Sequence, residues 1–257
     1  MIIARNEART LPRCLASVHG WVREIIVGLN DTTDESAEIA ARYGAVVHTL
    51  PWKGFRDTKN AALDLASHPW ALCLDADEEV SAALRQDIEA FFASGANQRH
   101  AGARFPRKVW FIDRWITHGD WYPDLSLRLV DRSKGRWGGD AYVHEKMECS
   151  GPIARLSGDL HHFSFPTLAS HVAKINPFAE LFVLQQQARG RRFYVSGTIF
   201  RSLWRFFRGY ILKAGFLDGY PGLYIAGANA FGVFVRYSRL YEAERRQEPP
   251  SPLTPPR

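Results

Sequence analysis

Cysteine is scarce in this 257-residue chain. Cys14, Cys73 and Cys149 are widely spaced, none belongs to a CxxC pair, and three cannot all pair within one chain. A fully disulfide-paired scaffold is excluded, and the usage fits a reducing compartment. No uninterrupted apolar run reaches about 18 residues, so no membrane span is expected. The start, MIIARNEART, lacks the apolar core of a secretion signal. Internal repeats are absent, and so is any nucleic-acid recognition motif. Acidic residues number 27 against 33 Lys and Arg, a net charge of +6 that favours an anionic partner. With no nucleic-acid motif, phosphorylated metabolites and anionic lipid are the candidates.

What is present reads as a globular α/β chain, long enough for one large domain or two small ones. Short apolar runs (Met1–Ala4, EIIVGLN, AVVHTL, WALCLDAD) alternate with helical patterns. Leu11, Leu15 and Val18 recur at helical spacing. Ser36 to Tyr43 forms a helix that stops at Gly44. FRDTKNAALDLASH is helical, and Ser81 caps a helix that ends at Gly95. This rhythm predicts a mostly parallel sheet covered on both faces. The first strand looks a residue or more short, which points to a start upstream of Met1. From about Phe105 the texture changes to mixed strands and long loops, where binding residues tend to sit. Helical segments follow Pro166, and five prolines fall in the last eleven residues.

The stretch HPWALCLDADEEVS, His68 to Ser81, runs an apolar strand into Asp75, Asp77 and Glu78, with Glu79 behind them. In open α/β sheets, ligands bind outside the carboxyl ends of strands. The i, i+2 spacing lets Asp75 and Asp77 reach one small volume where the strand turns. Two adjacent carboxylates repel and favour a cation. Oxygen ligands suit Mg²⁺ or Mn²⁺, which keep open positions for phosphate oxygens. The plainer alternative is a solvated strand-to-helix turn, with Glu78 and Glu79 opening the next helix.

In order and spacing, IIARNEARTLPRCLASV, EIIVGLNDTTDESAEIAARYGA, WKGFRDTKNAAL and ALCLDADEEVS resemble the nucleotide-sugar half of the inverting family-2 glycosyltransferases. They are more closely similar to the branch that includes lipopolysaccharide inner-core β-1,4-glucosyltransferases. The similarity runs on through YPDLSLRLVDRSKGRWGG, YVHEKM and GDLHHFSF. The resemblance implies a GT-A fold, Rossmann-like with a mostly parallel sheet and flanking helices, extended by a C-terminal helical amphipathic region. The expected division is a catalytic domain over 1–165 (donor half about 1–100, acceptor half about 101–165), a helical region over 166–243 and a proline-rich tail over 244–257.

The resemblance places Asp75 near the donor ribose or metal, and gives Asp77 the Mn²⁺ or Mg²⁺ that binds the donor diphosphate. His162, in preference to His161, matches a histidine that reaches the metal in relatives; the alternative is a strand-end pair with one ring bonded in the core. Arg5, Asn6 and Glu7 match the first donor-binding loop, where Glu7 could instead only charge a helix start. Arg56, Lys59 and Asn60 match positions close to the donor; a solvated helix face is the other reading for Arg56 and Lys59. A UDP-sugar is the favoured donor. One departure weakens it: Leu29 stands where relatives carry an aspartate that contacts uracil, and Asn30 or Asp31 would have to substitute.

An inverting transfer is one in-line displacement, with a single carboxylate removing the acceptor proton. Two positions compete: Glu145, beside His144, and Asp124, four residues before Arg128. Asp120 is the next choice. The plain alternative for Asp124 is a salt bridge to Arg128. Finally, IFRSLWRFFRGYILKAGF reads as a basic amphipathic helix, with Ile199, Leu203, Phe206, Phe207 and Tyr210 on one side and Arg201, Arg205 and Arg208 on the other. Either it lies on an anionic membrane surface, or it packs on the catalytic domain with its arginines in water. The membrane reading fits a lipid-linked glycan acceptor and a cytoplasmic, peripheral location on the inner membrane face.

Overall fold

The computed structural model describes residues 1–139, 145–165 and 167–246. The chain forms two units, one of Met1–Thr117 with Trp121–Pro166, the other of His118–Asp120 with Thr167–Arg257.

The first unit opens as alternating strands and helices: β1 (Ile2–Ala4), α1 (Leu11–Val18), β2 (Ile26–Leu29), α2 (Ser36–Arg42), β3 (Val46–Thr49) and α3 (Phe55–Asp64). Leu11, Cys14, Leu15 and Val18 put a continuous buried stripe on α1, and a proline in its first turn costs no hydrogen bond. The strands are fully buried in β1 and β2, as a sheet covered on both faces requires.

The apolar run at Trp70 does not form one strand. It divides into β4 (Trp70–Leu72), β5 (Leu74–Asp75) and β6 (Glu78–Val80). β4 pairs antiparallel with a later strand, whereas β5 pairs parallel with β1, Leu74 N donating to Met1 O at 3.0 Å. Cys73, between them, donates its N–H to Arg128 O at 2.7 Å. Buried and half-buried positions alternate along the run, and the alternation breaks at Cys73 and Leu74, both buried, where the segment passes from one sheet to the other. Glu78 and Glu79 lie in β6 and do not open a helix. α4 (Ala82–Ala93) begins only after Ser81, whose hydroxyl accepts from Leu84 N at 3.1 Å.

The remaining strands are β7 (Gly102–Phe111), β8 (Arg114–Trp115), β9 (Asp124–Asp131), β10 (Gly135–Gly138), β11 (Lys146–Cys149), β12 (Ile153–Arg155) and β13 (Leu160–Phe165). A four-stranded parallel sheet has the order β3-β2-β1-β5. A mixed seven-stranded sheet follows the path β4-β9-β7-β13-β6, with β8 and β12 also on β7, and β10 and β11 form a two-stranded ribbon. In the parallel sheet the chain steps from β1 to β2 and β3 on one side and returns to β5 on the other. The carboxyl ends of β1 and β5 therefore flank the topological switch point, where such sheets bind ligands. Leu11, Leu15, Val27, Leu84, Phe105 and Leu160 fill the core behind it.

The second unit is helical: α5 (Leu168–Ala173), closed at its start by a Thr167–Ser170 capping box, α6 (Ile175–Ala188), α7 (Val195–Phe207) and α8 (Gly219–Arg245). A π-helical turn, Arg208–Leu212, follows α7. Among the described residues no helix is long and apolar enough to cross a membrane. The arginines of α7 do not face water as a free polar side. Arg205 and Arg208 turn onto Asp120, and Arg201 donates to the Tyr194 hydroxyl at 2.8 Å.

Candidate active site at the strand ends

Asp75 ends β5 at the switch point, and both its oxygens are engaged. Lys59 Nζ, from α3, lies 2.8 Å from Oδ1, and Arg128 Nη2, from β9, lies 2.6 Å from Oδ2. Lys59 Nζ also reaches Glu145 Oε1 at 3.0 Å. On the other side, Arg128 Nη2 pairs with Glu78 Oε1 at 2.9 Å. Glu78 is next to Arg107 Nη1 at 3.5 Å, and Arg107 grips Asp124 Oδ2 through Nε at 2.9 Å and Nη2 at 2.7 Å. The result is an alternating file of seven charges: Glu145, Lys59, Asp75, Arg128, Glu78, Arg107, Asp124. The two carboxylates competing for the role of base stand at its two ends.

Burial sets the strength of this file. Glu78 is fully buried, and Lys59 and Arg128 nearly so. Burial alone would raise the Asp75 carboxyl; the charges of Arg128 and Lys59 outweigh it and hold it far below the usual carboxylate range. Burial likewise works against the Arg128 cation, but Asp75 and Glu78 outweigh it and keep the guanidinium protonated. Glu78 is secured further by Asp75 N, which donates to its Oε2 at 2.9 Å.

The alternative reading of Asp124, a salt bridge to Arg128, does not hold. Residues four apart on a strand share a face but stand about 13 Å apart. Arg107 is instead the cross-strand partner directly opposite Asp124. Asp120 lies in the helical unit, its side chain 2% exposed, with Arg205 Nε at 3.0 Å, Arg208 Nη2 at 2.7 Å and Lys213 Nζ at 3.3 Å. His144 lies outside the described residues.

Beyond Asp75, the chain turns through Ala76 and Asp77, and Asp77 Oδ2 stands 3.3 Å from His162 Nε2. The Nδ1 of His162 is buried without a hydrogen-bond partner. His161, one position earlier on β13, stacks on Trp115 with ring centroids 4.1 Å apart, and burial lowers its pKa. Register thus separates the two histidines, sending His162 toward Asp77 and His161 into an aromatic stack. Among the described residues no group of three or more His, Cys, Asp or Glu side chains could hold a metal ion. The Asp77 carboxylate supplies the oxygen ligand that Mn²⁺ or Mg²⁺ prefers, and sites for Mg²⁺ on phosphates use one or two carboxylates and take the rest from phosphate oxygens and water.

The loop after β1 is knitted to the loop after β2. Asn6, in the left-handed region at φ 55°, accepts from Thr33 N at 2.8 Å. Glu7 N donates to Ser36 Oγ at 3.0 Å, and Ala8 N to Asp34 Oδ2 at 2.9 Å. The Glu7 carbonyl accepts from Thr10 N and Leu11 N, opening α1. Arg5 is exposed beside this clamp, and Asn30 is buried at the end of β2. Leu29 points its bulk into the core. On α3, the Asn60 amide pairs both ways with the Trp137 backbone, at 2.9 and 3.0 Å, and Lys59 Nζ lies 4.4 Å from the Trp137 ring. Arg56 reaches Gly139 O at 3.0 Å. Lys59 and Asn60 therefore tie α3 to β10 and to the charge file.

Sequence reasoning missed Glu78, Arg107 and Arg128. The signal available was Arg128 inside the apolar run LSLRLV, since a charge within a core strand is seldom buried without a partner. A cavity of about 500 Å³ opens at the amino ends of β1 and β2, lined by Met1, Trp21, Trp70, Ile88 and Phe92 among others. It is apolar, and no member of the charge file lines it.

The family described as Glycosyl transferase family 2 matches residues 1–137. A lipopolysaccharide core biosynthesis glycosyltransferase of Rhizobium meliloti, LpsC, is 28% identical over 247 residues, covering 94% of this chain and 90% of that protein. An uncharacterized glycosyltransferase of Rickettsia typhi is 27% identical over 251 residues, covering 94% and 85%. Among solved structures, S. aureus TarS 1–349 in complex with UDP-GlcNAc superposes with a TM-score of 0.47 at 12% identity, covering 95% of this chain and 90% of that one.

Proposed function

The chain belongs to glycosyl transferase family 2 and is a glycosyltransferase of the GT-A fold; on that premise we propose that it transfers a hexose, glucose in the favoured reading, from a nucleotide sugar to a lipid-linked glycan of the lipopolysaccharide-core kind, with inversion, at the inner face of the cell membrane. The observation that carries this reading is the file of alternating charges at the switch point, with the Asp77–His162 pair beside it. The similarity to LpsC supports the acceptor class.

In this reading Arg5, Asn6 and Asn30 line the nucleotide end of the donor, and Arg56 stands at its rim. Asp77 and His162 would hold the divalent ion, with Asp75 fixed behind them by Lys59 and Arg128. Such an ion, when bound, supplies Lewis-acid neutralisation of the diphosphate leaving group. Glu145 takes the proton from the acceptor hydroxyl as that oxygen attacks the anomeric carbon from the face opposite the diphosphate. Lys59 holds the Glu145 carboxylate in place through Oε1, leaving Oε2 to receive the proton. Glu7 opens α1 and shapes the donor loop.

A second reading gives the proton to Asp124, whose side chain is 44% exposed against 17% for Glu145. Its Oδ2 is already held by two nitrogens of Arg107. The two readings separate in one assay. Glu145→Gln is expected to lower transfer by about 10²–10⁴-fold while UDP-glucose with Mn²⁺ still raises the melting temperature. Asp124→Asn is expected to stay within about tenfold of wild type. The opposite pattern moves the base to Asp124, and full transfer by both variants would remove both candidates.

A further inference from the structure

Helix α7 is amphipathic in the reverse sense from a helix packed on a protein core. Ile199, Phe200, Leu203, Trp204 and Phe207 follow the i, i+3, i+4 spacing of a single stripe, and every one is exposed, from 45% for Phe207 to 67% for Phe200. Ile211 and Leu212 continue the exposure through the π turn, and Phe216, Leu217 and Tyr220 extend it. The covered side of the helix carries Gly197, Thr198 and the arginines. Arg205 and Arg208 are drawn onto Asp120, together with Lys213, and Arg201 lies over the Tyr237 ring at 5.2 Å. The arginines therefore serve the helical unit's own packing, and the apolar stripe is what meets the surroundings. A continuous exposed patch of this size marks an interaction surface.

Charge selects the occupant. The helical unit, with the tail, contains thirteen Lys and Arg against six Asp and Glu, so it carries more than the whole of the chain's +6, and the α/β unit is close to neutral. Two copies meeting through this face would bring two such excesses together, whereas an anionic lipid surface neutralises them. Arg191 and Arg192 are exposed just before the stripe and Lys213 just after it. Trp204 and Tyr220 are the side-chain types that settle at a lipid–water boundary. No described helix can cross the bilayer, so the segment lies in its plane.

We propose that α7 and the segment running to Tyr220 form a membrane-insertion face for anionic bilayers. The apolar stripe enters the acyl boundary, Arg191, Arg192 and Lys213 meet headgroup phosphates, and Arg201, Arg205 and Arg208 stay on Asp120 and the tyrosine rings. This deepens the reading of a lipid-borne acceptor and rests on it for its purpose, but it is tested without donor or acceptor, so the two can fail separately.

The test is co-sedimentation of the full chain with phosphatidylcholine vesicles, with and without phosphatidylglycerol. Wild type is expected to pellet with the mixed vesicles. The exposed triple variant Phe200→Ser, Leu203→Ser, Trp204→Ser is expected to lose at least about tenfold in partitioning, with an unchanged melting temperature. Arg191→Gln with Arg192→Gln is expected to lose a few-fold and to weaken the preference for phosphatidylglycerol. As a measure that does not depend on the triple variant folding, bromine-labelled lipid should quench wild-type fluorescence more than that of Trp204→Phe. Wild type left in the supernatant, a triple variant that pellets like wild type, or a wild-type dimer that the triple variant dissolves without any vesicle binding would each overturn the proposal.

Discussion

Two buried charge clusters in this chain are built with opposite balances. In the α/β unit four carboxylates, Glu145, Asp75, Glu78 and Asp124, share three cations, Lys59, Arg128 and Arg107. In the helical unit one carboxylate, Asp120, holds three cations. Charges stay buried only where partners offset their desolvation, so each cluster binds its minority sign firmly and leaves part of the majority sign toward solvent. Asp124 is the outlying member of the first and Lys213 of the second. A negative surplus beside Asp77 and His162 suits a divalent ion carrying a diphosphate. A positive surplus beside an exposed apolar stripe suits anionic headgroups. The overall +6 conceals both, because it averages a neutral α/β unit with a basic helical one.

Removing the central cation of each cluster separates them most sharply. Arg128→Leu leaves Asp75 and Glu78 without their shared partner in a buried setting and is expected to cost about 3–5 kcal/mol in urea unfolding. Arg208→Leu leaves Asp120 with Arg205 and Lys213, in a cluster whose cations are 34–45% exposed, and is expected to cost less than about 1 kcal/mol. Equal costs would break the comparison.

A pH series gives a smaller effect with a definite sign. The folded-state pKa of Asp75 is depressed below its unfolded value, near 3.9. The folded chain therefore binds fewer protons, and the stability Asp75 contributes is present above about pH 4 and is lost as acid carries the solution toward the folded value. Wild type should lose stability more steeply than Asp75→Asn between about pH 5 and pH 2. Parallel curves would show that Arg128 and Lys59 do not hold the charge. Smallest of all, Asn6→Ala removes one clamp between the first two loops and is expected to cost about 1 kcal/mol, with a weaker thermal response to UDP-glucose than wild type shows.

The alternating half of the fold was legible because each element there has one clear period: 3.6 in α1, 3.6 with a Ser81 cap in α4, and short buried runs in β1 and β2. The division of Trp70–Val80 among three strands was not, since the one break in its alternation, at Cys73 and Leu74, falls inside a continuous apolar run. Asp75, Asp77 and His162 were singled out by motif. Glu78, Arg107 and Arg128 were not, because their pairing depends on strand register between segments 29 to 53 residues apart. The α7 wheel separated apolar from basic residues, but a wheel cannot tell which side the rest of the chain covers. Here the covered side is the basic one.

The central claim is that Asp77 and His162 together receive a divalent ion beside the charge file. Its most direct test is titration of Mn²⁺ followed by electron paramagnetic resonance, with UDP-glucose present. Wild type is expected to remove the free-ion signal at one ion per chain, and Asp77→Ala and His162→Ala are each expected to weaken binding by about 10–100-fold while remaining folded. If both variants bind Mn²⁺ and UDP-glucose as tightly as wild type, the ion is held elsewhere and the account is contradicted.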